Sequence, residues 1–151
     1  MELDHLLIGH WSSLPFAYGA MEASELGLLP DRRGWSTWFN FGALWVTRLS
    51  WACPEPGVVE LHTKWIVEGT PRHGISPTAS VEEMHGVTRH HYVVGPVVPM
   101  PGAEALLSIS FEEPVEFSHR YARGRKEIRI EEDPAYLVHA GQEPNPTARP
   151  S

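Results

Sequence analysis

The chain has 151 residues, 42% of them hydrophobic, and a net charge of −7. That suits one domain with a real core, and an acidic balance without blocks of like charge argues against a nucleic-acid partner. No stretch approaches the ~20 apolar residues of a membrane span, and the single cysteine, Cys53, leaves no internal disulfide.

The start, Met1-Glu2-Leu3-Asp4, lacks the basic n-region of a secretion signal, so a cytoplasmic protein with no membrane partner is expected. Fourteen prolines and thirteen glycines cut the chain into short pieces, which favours strands over long helices. Residues 5–13 hold an apolar run and then Gly9-His10-Trp11. Residues 14–21 mix turn formers with Phe16, Tyr18 and Met21, as a loop folded over the end of a barrel would. Residues 22–29 lead to Pro30-Asp31-Arg32-Arg33-Gly34, a hairpin connection in which Gly34 is expected to take the left-handed position. Five of the six tryptophans then fall within residues 34–67. This stretch reads as strands 35–39, 44–52 and 58–67, joined by Asn40-Phe41-Gly42 and Pro54-Glu55-Pro56-Gly57.

Residues 69–83 form a long polar connection, read as a second lid or an excursion. Strands follow at 86–98, 103–111 and 115–122, with a short one at 126–131. Residues 133–151, rich in proline, read as a partly disordered tail in which Tyr136-Leu137-Val138 docks. Eight evenly spaced strands plus a short ninth predict an all-β fold. It is a single antiparallel up-and-down β-barrel over residues 1–132.

Alternation along each strand assigns the faces. In 58–67 the set Glu60, His62 and Lys64 must meet water, which sends Val59, Leu61, Thr63, Trp65 and Val67 inward. The same test sends Trp45, Thr47, Leu49 and Trp51 inward, then Leu107, Ile109 and Phe111, then Phe117, His119 and Tyr121. In 86–98 it favours His90 and Tyr92, although Val87 and Val93 then face out. The expected interior is aromatic, dotted with Thr47, Thr63, His90, Tyr92, His119 and Tyr121. Such groups, once buried, need partners, because an unpaired one costs roughly 1–3 kcal/mol.

Nine histidines raise the question of a metal. Adjacent His90 and His91 point to opposite faces, and no H-x-x-x-H or cysteine cluster is present, so no metal and no cofactor are expected, although His62, His90 and His119 are free to meet in space. Cys53 has no recognisable base beside it, which argues against a nucleophile. His119 and Tyr121 on one face, with Tyr92, make a possible acid–base set, since imidazole titrates near neutrality and a phenol polarises a carbonyl.

Gly9-x-Trp11 opening the first strand, then an apolar loop and a run of hairpins to about residue 130, resembles the lipocalin and calycin superfamily of β-barrels. The resemblance implies that Trp11 packs at a closed barrel end under an arginine of the last strand, with Arg123, Arg125 and Arg129 all open. The chain departs from secreted lipocalins in lacking a signal peptide, disulfides and a C-terminal helix. It is more similar to small bacterial lipocalin-like proteins, which include carriers and a few cyclases and decarboxylases.

The expected function is binding of a small hydrophobic or aromatic molecule in the barrel, on Phe16, Tyr18, Trp45, Thr47, Trp51, Thr63, Trp65, His90 and Phe111. The alternative is an enzyme using the same pocket through His119, Tyr121 and Tyr92. A third reading makes the tryptophans a homodimer interface around a filled core.

Overall fold

The structure, a computed structural model, describes residues 4–17 and 21–138. The strands are β1 (Gly9–Ser12), β2 (Ala23–Leu28), β3 (Arg33–Phe39), β4 (Leu44–Glu55), β5 (Val58–Gly69), β6 (Glu82–Glu83), β7 (Val87–Val97), β8 (Leu106–Val115) and β9 (Ser118–Arg123). All pairings are antiparallel. Eight strands follow one another around the sheet, and β9 pairs back onto β1, closing an up-and-down barrel. The two-residue β6 lies on β5 at Trp65 and Ile66. The expected short strand at 126–131 is absent; a 3-10 turn, Ile130–Glu132, lies at its end.

Local chemistry sets the connections. Asn40 accepts the N–H groups of Gly42 and Ala43, both at 2.9 Å, which closes the β3–β4 turn. Gly57, at φ 80, closes β4–β5. Between β2 and β3 the left-handed residue is Arg32, at φ 75, and not Gly34. Gly34 lies inside β3, where a Cβ would sit 2.6 Å from Gly27 O, so it serves close strand approach instead.

Strand polarity puts the β1–β2, β3–β4, β5–β7 and β8–β9 connections at one end. The chain's N-terminal segment meets the other end and closes it. The 3-10 turn His5–Leu7 is capped by the Asp4 carboxylate and inserts Leu7, which is fully buried. Trp11 Nε1 donates to Leu7 O at 2.8 Å. The Arg123 guanidinium lies 4.7 Å from the Trp11 ring centroid and donates to Leu6 O at 2.6 Å. Of the three arginines left open by the sequence, Arg123 is therefore the one over Trp11. Gly9 has φ 139, and a Cβ there would lie 2.5 Å from Arg125 O, the atom that accepts His10 N–H.

Inside the barrel, Leu7, Trp11, Leu26, Leu28, Leu49, Trp51, Val59, Leu61, Tyr92, Ile109, Phe111, Val115 and Tyr121 form one packed cluster. The expected facing of Leu49, Trp51, Leu61, Tyr92, Ile109 and Phe111 is what the structure has. Trp65 and Val67 are different. The β4–β5 register passes from Arg48↔Trp65 to Leu49↔Thr63 and skips Lys64. This bulge reverses the alternation. Trp65 and Val67 turn outward, while Ile66 and Glu68 take the inward register opposite Thr47 and Trp45.

The outer face of β3–β5 therefore carries a second apolar cluster, Trp35, Val46, Trp65 and Val67 with Leu29, Ala135 and Val138. Ile75, Ala79 and Val81 of the β5–β7 connection pack on it, as do Ile128 and Ile130. That connection thus covers the side wall as well as approaching the mouth. Asp133, with a fully buried side chain, accepts Arg48 Nη2 at 2.8 Å, and the Arg48 guanidinium stacks 4.5 Å over Trp65. Residues 133–138 are thus fastened by Asp133, Ala135 and Val138, whereas Tyr136 and Leu137 are exposed. The remainder of the expected tail, 139–151, lies outside the described residues. Glu60, expected in water, is on the outer face but only 6% exposed, covered by His62 and Arg89. Their hydrogen bonds, His62 first, hold its carboxyl below the usual range. No described helix is long and apolar enough to cross a membrane.

Candidate functional site

The barrel has a sealed half and an open half. The sealed half ends at Leu7, Trp11 and Arg123, as above. Towards the opposite end the inward positions become polar or half-exposed: Ser24, Ser36, Trp38, Trp45, Thr47, Ile66 and Glu68.

Trp38 and Trp45 are cross-strand partners whose indoles stack, with ring centroids 4.5 Å apart and planes 23° from parallel. Both keep solvent exposure, unlike Trp11, Trp35, Trp51 and Trp65, which are at most 2% exposed. Trp38 Nε1 donates to Glu22 Oε2 at 3.3 Å. Ser36 Oγ donates to Glu116 Oε1 at 2.5 Å, a carboxylate carried in on the tight β8–β9 turn, where Glu116 has φ 58. Trp45 also lines a cleft of about 330 Å³ with Ile66, Glu68 and residues 80–82. Thr47 is buried in the same wall.

On β7, His90 packs edge-on to Phe111 with centroids 5.9 Å apart. Its Nε2 lies 2.9 Å from Thr88 Oγ1. Its Nδ1 is enclosed without a hydrogen-bond partner; the Glu113 backbone lies nearby without completing a bond. Burial pushes the imidazole's pKa down, against the pull of the Glu113 carboxylate, so the ring is neutral near pH 7.

The expected site residues divide. Trp45 and Thr47 are on the inward register of the open half. His90 pairs with Val59 and packs on Phe111, and Val59, Trp51 and Phe111 belong to the packed floor beneath it. Thr63 is on the inward register, but its hydroxyl is engaged with Gly86 N at 3.0 Å and Gly86 O at 3.3 Å, bridging the split between β5's two partners. Trp65 is on the outer wall, for the reason given by the Lys64 bulge. Phe16, Phe111 and His119 come together at an open cleft of about 680 Å³, with Val98, Pro99, Phe117 and Arg120. Tyr18 lies outside the described residues.

The three groups read as an acid–base set do not share a pocket. His119 is exposed in the Phe16 cleft, its Nδ1 3.3 Å from Phe111 O, because it lies at the start of β9 where the inward face has already reached solvent. Tyr121 is fully buried: its hydroxyl donates to Val115 O at 2.5 Å and lies 2.6 Å from Ser24 Oγ. The Tyr92 hydroxyl donates to Asp4 Oδ2 at 2.5 Å, and Asp4 N donates to Cys53 Sγ at 3.4 Å. Burial raises both phenols well above the ordinary tyrosine range, and for Tyr92 the Asp4 carboxylate adds to it. Both hydroxyls hold the fold together and neither is free to exchange protons. Burial likewise pushes the Cys53 thiol up, away from the reactive thiolate.

Trp38 and the rim carboxylates were missed. The signal available was position: Trp38 is one pair from the Asn40 turn, at the end of a strand that alternation could not orient. Among the described residues, no group of three or more His, Cys, Asp or Glu could hold a metal ion.

Fold and site together define a closed eight-stranded barrel, plugged at one end and lined at the other by half-exposed indoles and carboxylates. No protein-family model, no curated protein and no solved structure matches the chain.

Proposed function

We propose that this protein binds a small, flat, hydrophobic molecule in the open half of its barrel, as a lipocalin-like carrier of the calycin type. The observation that carries this reading is the Trp38–Trp45 stack, two large apolar side chains left partly in water on the inner wall above a fully packed floor. Exposed indole surface inside a concavity is favourable once a ligand covers it, at roughly 25 cal/mol per Å². The lipocalin part rests on Gly9, Trp11 and Arg123: the glycine where Arg125 O admits no Cβ, the indole at the plugged end, and the cation over it. We read the chain as cytoplasmic on its single half-buried cysteine. The enzymatic alternative keeps one of its three groups, His119, in the cleft with Phe16 and Phe111, since Tyr92 and Tyr121 are both engaged.

The test is titration of the full chain with N-phenyl-1-naphthylamine, a neutral fluorescent aromatic. Binding with energy transfer from tryptophan is expected. W45A should weaken it at least about tenfold, as loss of ~60 Å² of contact implies. V93S, on the exposed outer face, should leave it unchanged. Saturable binding unaffected by W45A, or no binding by a folded protein, would overturn the reading.

A further inference from the structure

The β8–β9 ladder carries a second concavity, apart from the mouth. Ser110 and Arg120 are cross-strand partners, and the next pair along, Ile109 and Tyr121, points into the packed interior. Ser110 and Arg120 therefore face outward. Both line the cleft of about 680 Å³ that also holds Phe16 and His119, a volume typical of a small-molecule site. Its apolar wall is Phe16 from the Leu14–Phe16 turn, Phe117 from the β8–β9 turn and Val98 after β7. Both rings are only half-buried and Val98 is 53% exposed, so this wall has apolar surface left to cover.

The polar side of the cleft is cationic. Among the described residues, Arg120 has no ion-pair partner. Other arginines do: Arg33 pairs with Asp31, Arg48 with Asp133, Arg89 with Glu60 and Arg125 with Glu132. The Ser118 hydroxyl accepts Arg120 N–H at 3.3 Å and donates to Arg120 O at 3.0 Å, which fixes the backbone and leaves the guanidinium unengaged. The Ser110 hydroxyl has no partner among the described residues. His119 is anchored through Nδ1 on Phe111 O at 3.3 Å. No carboxylate is among the described residues that line the cleft; Glu112, close in sequence, lines the neighbouring one with His91 and Val93. In a chain of net charge −7, an unpaired arginine at an apolar cleft is a local feature and not part of a basic surface.

We infer that this cleft is a second ligand site, for an aromatic monocarboxylate. The flat ring covers Phe16 and Phe117, and the carboxylate accepts from the Arg120 guanidinium and the Ser110 hydroxyl. A guanidinium offers two parallel N–H groups in the geometry of a carboxylate. One guanidinium matches one negative charge, which favours a carboxylate over a dianionic phosphate ester, and an organic cation would meet like charge. The site shares no lining residue with the cleft at Trp45 and stands whether or not the mouth holds a ligand.

The test is calorimetry on the full chain at pH 7 with 2-naphthylacetate, its neutral amide 2-naphthylacetamide, and 2-naphthyl phosphate, each with excess N-phenyl-1-naphthylamine present to fill the mouth. The acid should bind at least about tenfold tighter than the amide, and its advantage should shrink with rising salt. R120Q, at an exposed position outside any ion pair, should weaken the acid at least about tenfold and leave the amide's affinity and the urea midpoint unchanged. Equal binding of acid and amide, tightest binding of the phosphate, an acid affinity untouched by R120Q, displacement of N-phenyl-1-naphthylamine by the acid, or no binding of the acid by the folded protein would overturn the inference. The mouth reading fails separately, through the response of N-phenyl-1-naphthylamine binding to W45A.

Discussion

Replacing Tyr121 with phenylalanine separates a structural hydroxyl from a functional one. The ring is fully buried, its edge packed on Phe111 with centroids 5.9 Å apart, and phenylalanine keeps that ring, so no cavity larger than one oxygen appears. What disappears is the bridge between Val115 O and Ser24 Oγ. Val115 lies beyond an irregularity in the β8–β9 register, so the ladder gives its carbonyl little alternative. A buried hydrogen bond contributes roughly 1 kcal/mol net, and a partner left enclosed and unpaired costs roughly 1–3 kcal/mol. Because the Ser24 hydroxyl can turn and recover part of the loss, Y121F is expected to cost about 2–4 kcal/mol. For a chain of this length that lowers Tm by about 4–16 °C. Urea unfolding followed by tryptophan fluorescence and circular dichroism gives the first number, and N-phenyl-1-naphthylamine titration of the folded variant gives the control. The midpoint should fall with the slope unchanged and the probe affinity within about twofold of the parent. A stability loss under about 0.5 kcal/mol, or lost affinity without lost stability, would show the hydroxyl to be a pocket group and refute the reasoning.

Alkaline pH tests the same burial from another side. Tyr92 and Tyr121 have raised folded-state values, so the neutral phenol is favoured on folding. Their contribution is intact below pH ~10 and declines above it, by up to about 1.4 kcal/mol per pH unit for each tyrosine. Urea midpoints between pH 9 and ~11.5 should fall steeply, and Y121F should flatten the slope; a level profile would contradict the assignment. His90 should titrate below an ordinary histidine in nitrogen-detected NMR, because burial disfavours its cation; a value at or above the ordinary one would contradict the enclosed ring. D133N should cost about 2–4 kcal/mol, less than a wholly buried pair because Arg48 keeps 14% side-chain exposure, and should speed proteolysis near residue 133. Unchanged stability and cleavage would mean that the segment is held by its apolar residues alone.

The barrel was legible because polar residues marked one face of most strands. Arg48 and Ser50 oriented β4 and placed Leu49 and Trp51 correctly. Arg120 did the same for β9 and placed Tyr121 correctly. That mark misleads in β5. Lys64 looks like an ordinary outward residue, yet it occupies a bulge, and a bulge without glycine or proline leaves no trace in the sequence. Every residue after it is inverted, which moved Trp65 and Val67 to the wrong wall. In β3 the test gave nothing, since Trp35 and Trp38 are large and apolar on opposite faces. Both faces are in fact covered, Trp35 by the outer cluster and Trp38 by Trp45. Gly27 is the subtle counterpart of Trp35: a Cβ there would fall 2.3 Å from the indole, so the pair is legible only together. His119 had the right parity, but parity does not say where a strand passes the rim. The choice of Arg123 over Arg125 and Arg129 needed the β1–β9 register, Trp11↔Arg123, which is long-range and unreadable locally.

The six indole N–H signals in a proton–nitrogen NMR spectrum report on every tryptophan at once. Titrated with N-phenyl-1-naphthylamine, the signals of Trp38 and Trp45 should shift and saturate together. Those of Trp11 and Trp51, bonded to Leu7 O and Leu29 O, and that of Trp65 on the outer wall should stay in place. Shifts confined to Trp65 or Trp35, or none at Trp38 and Trp45 while the probe binds, would contradict a ligand site at the open end of the barrel.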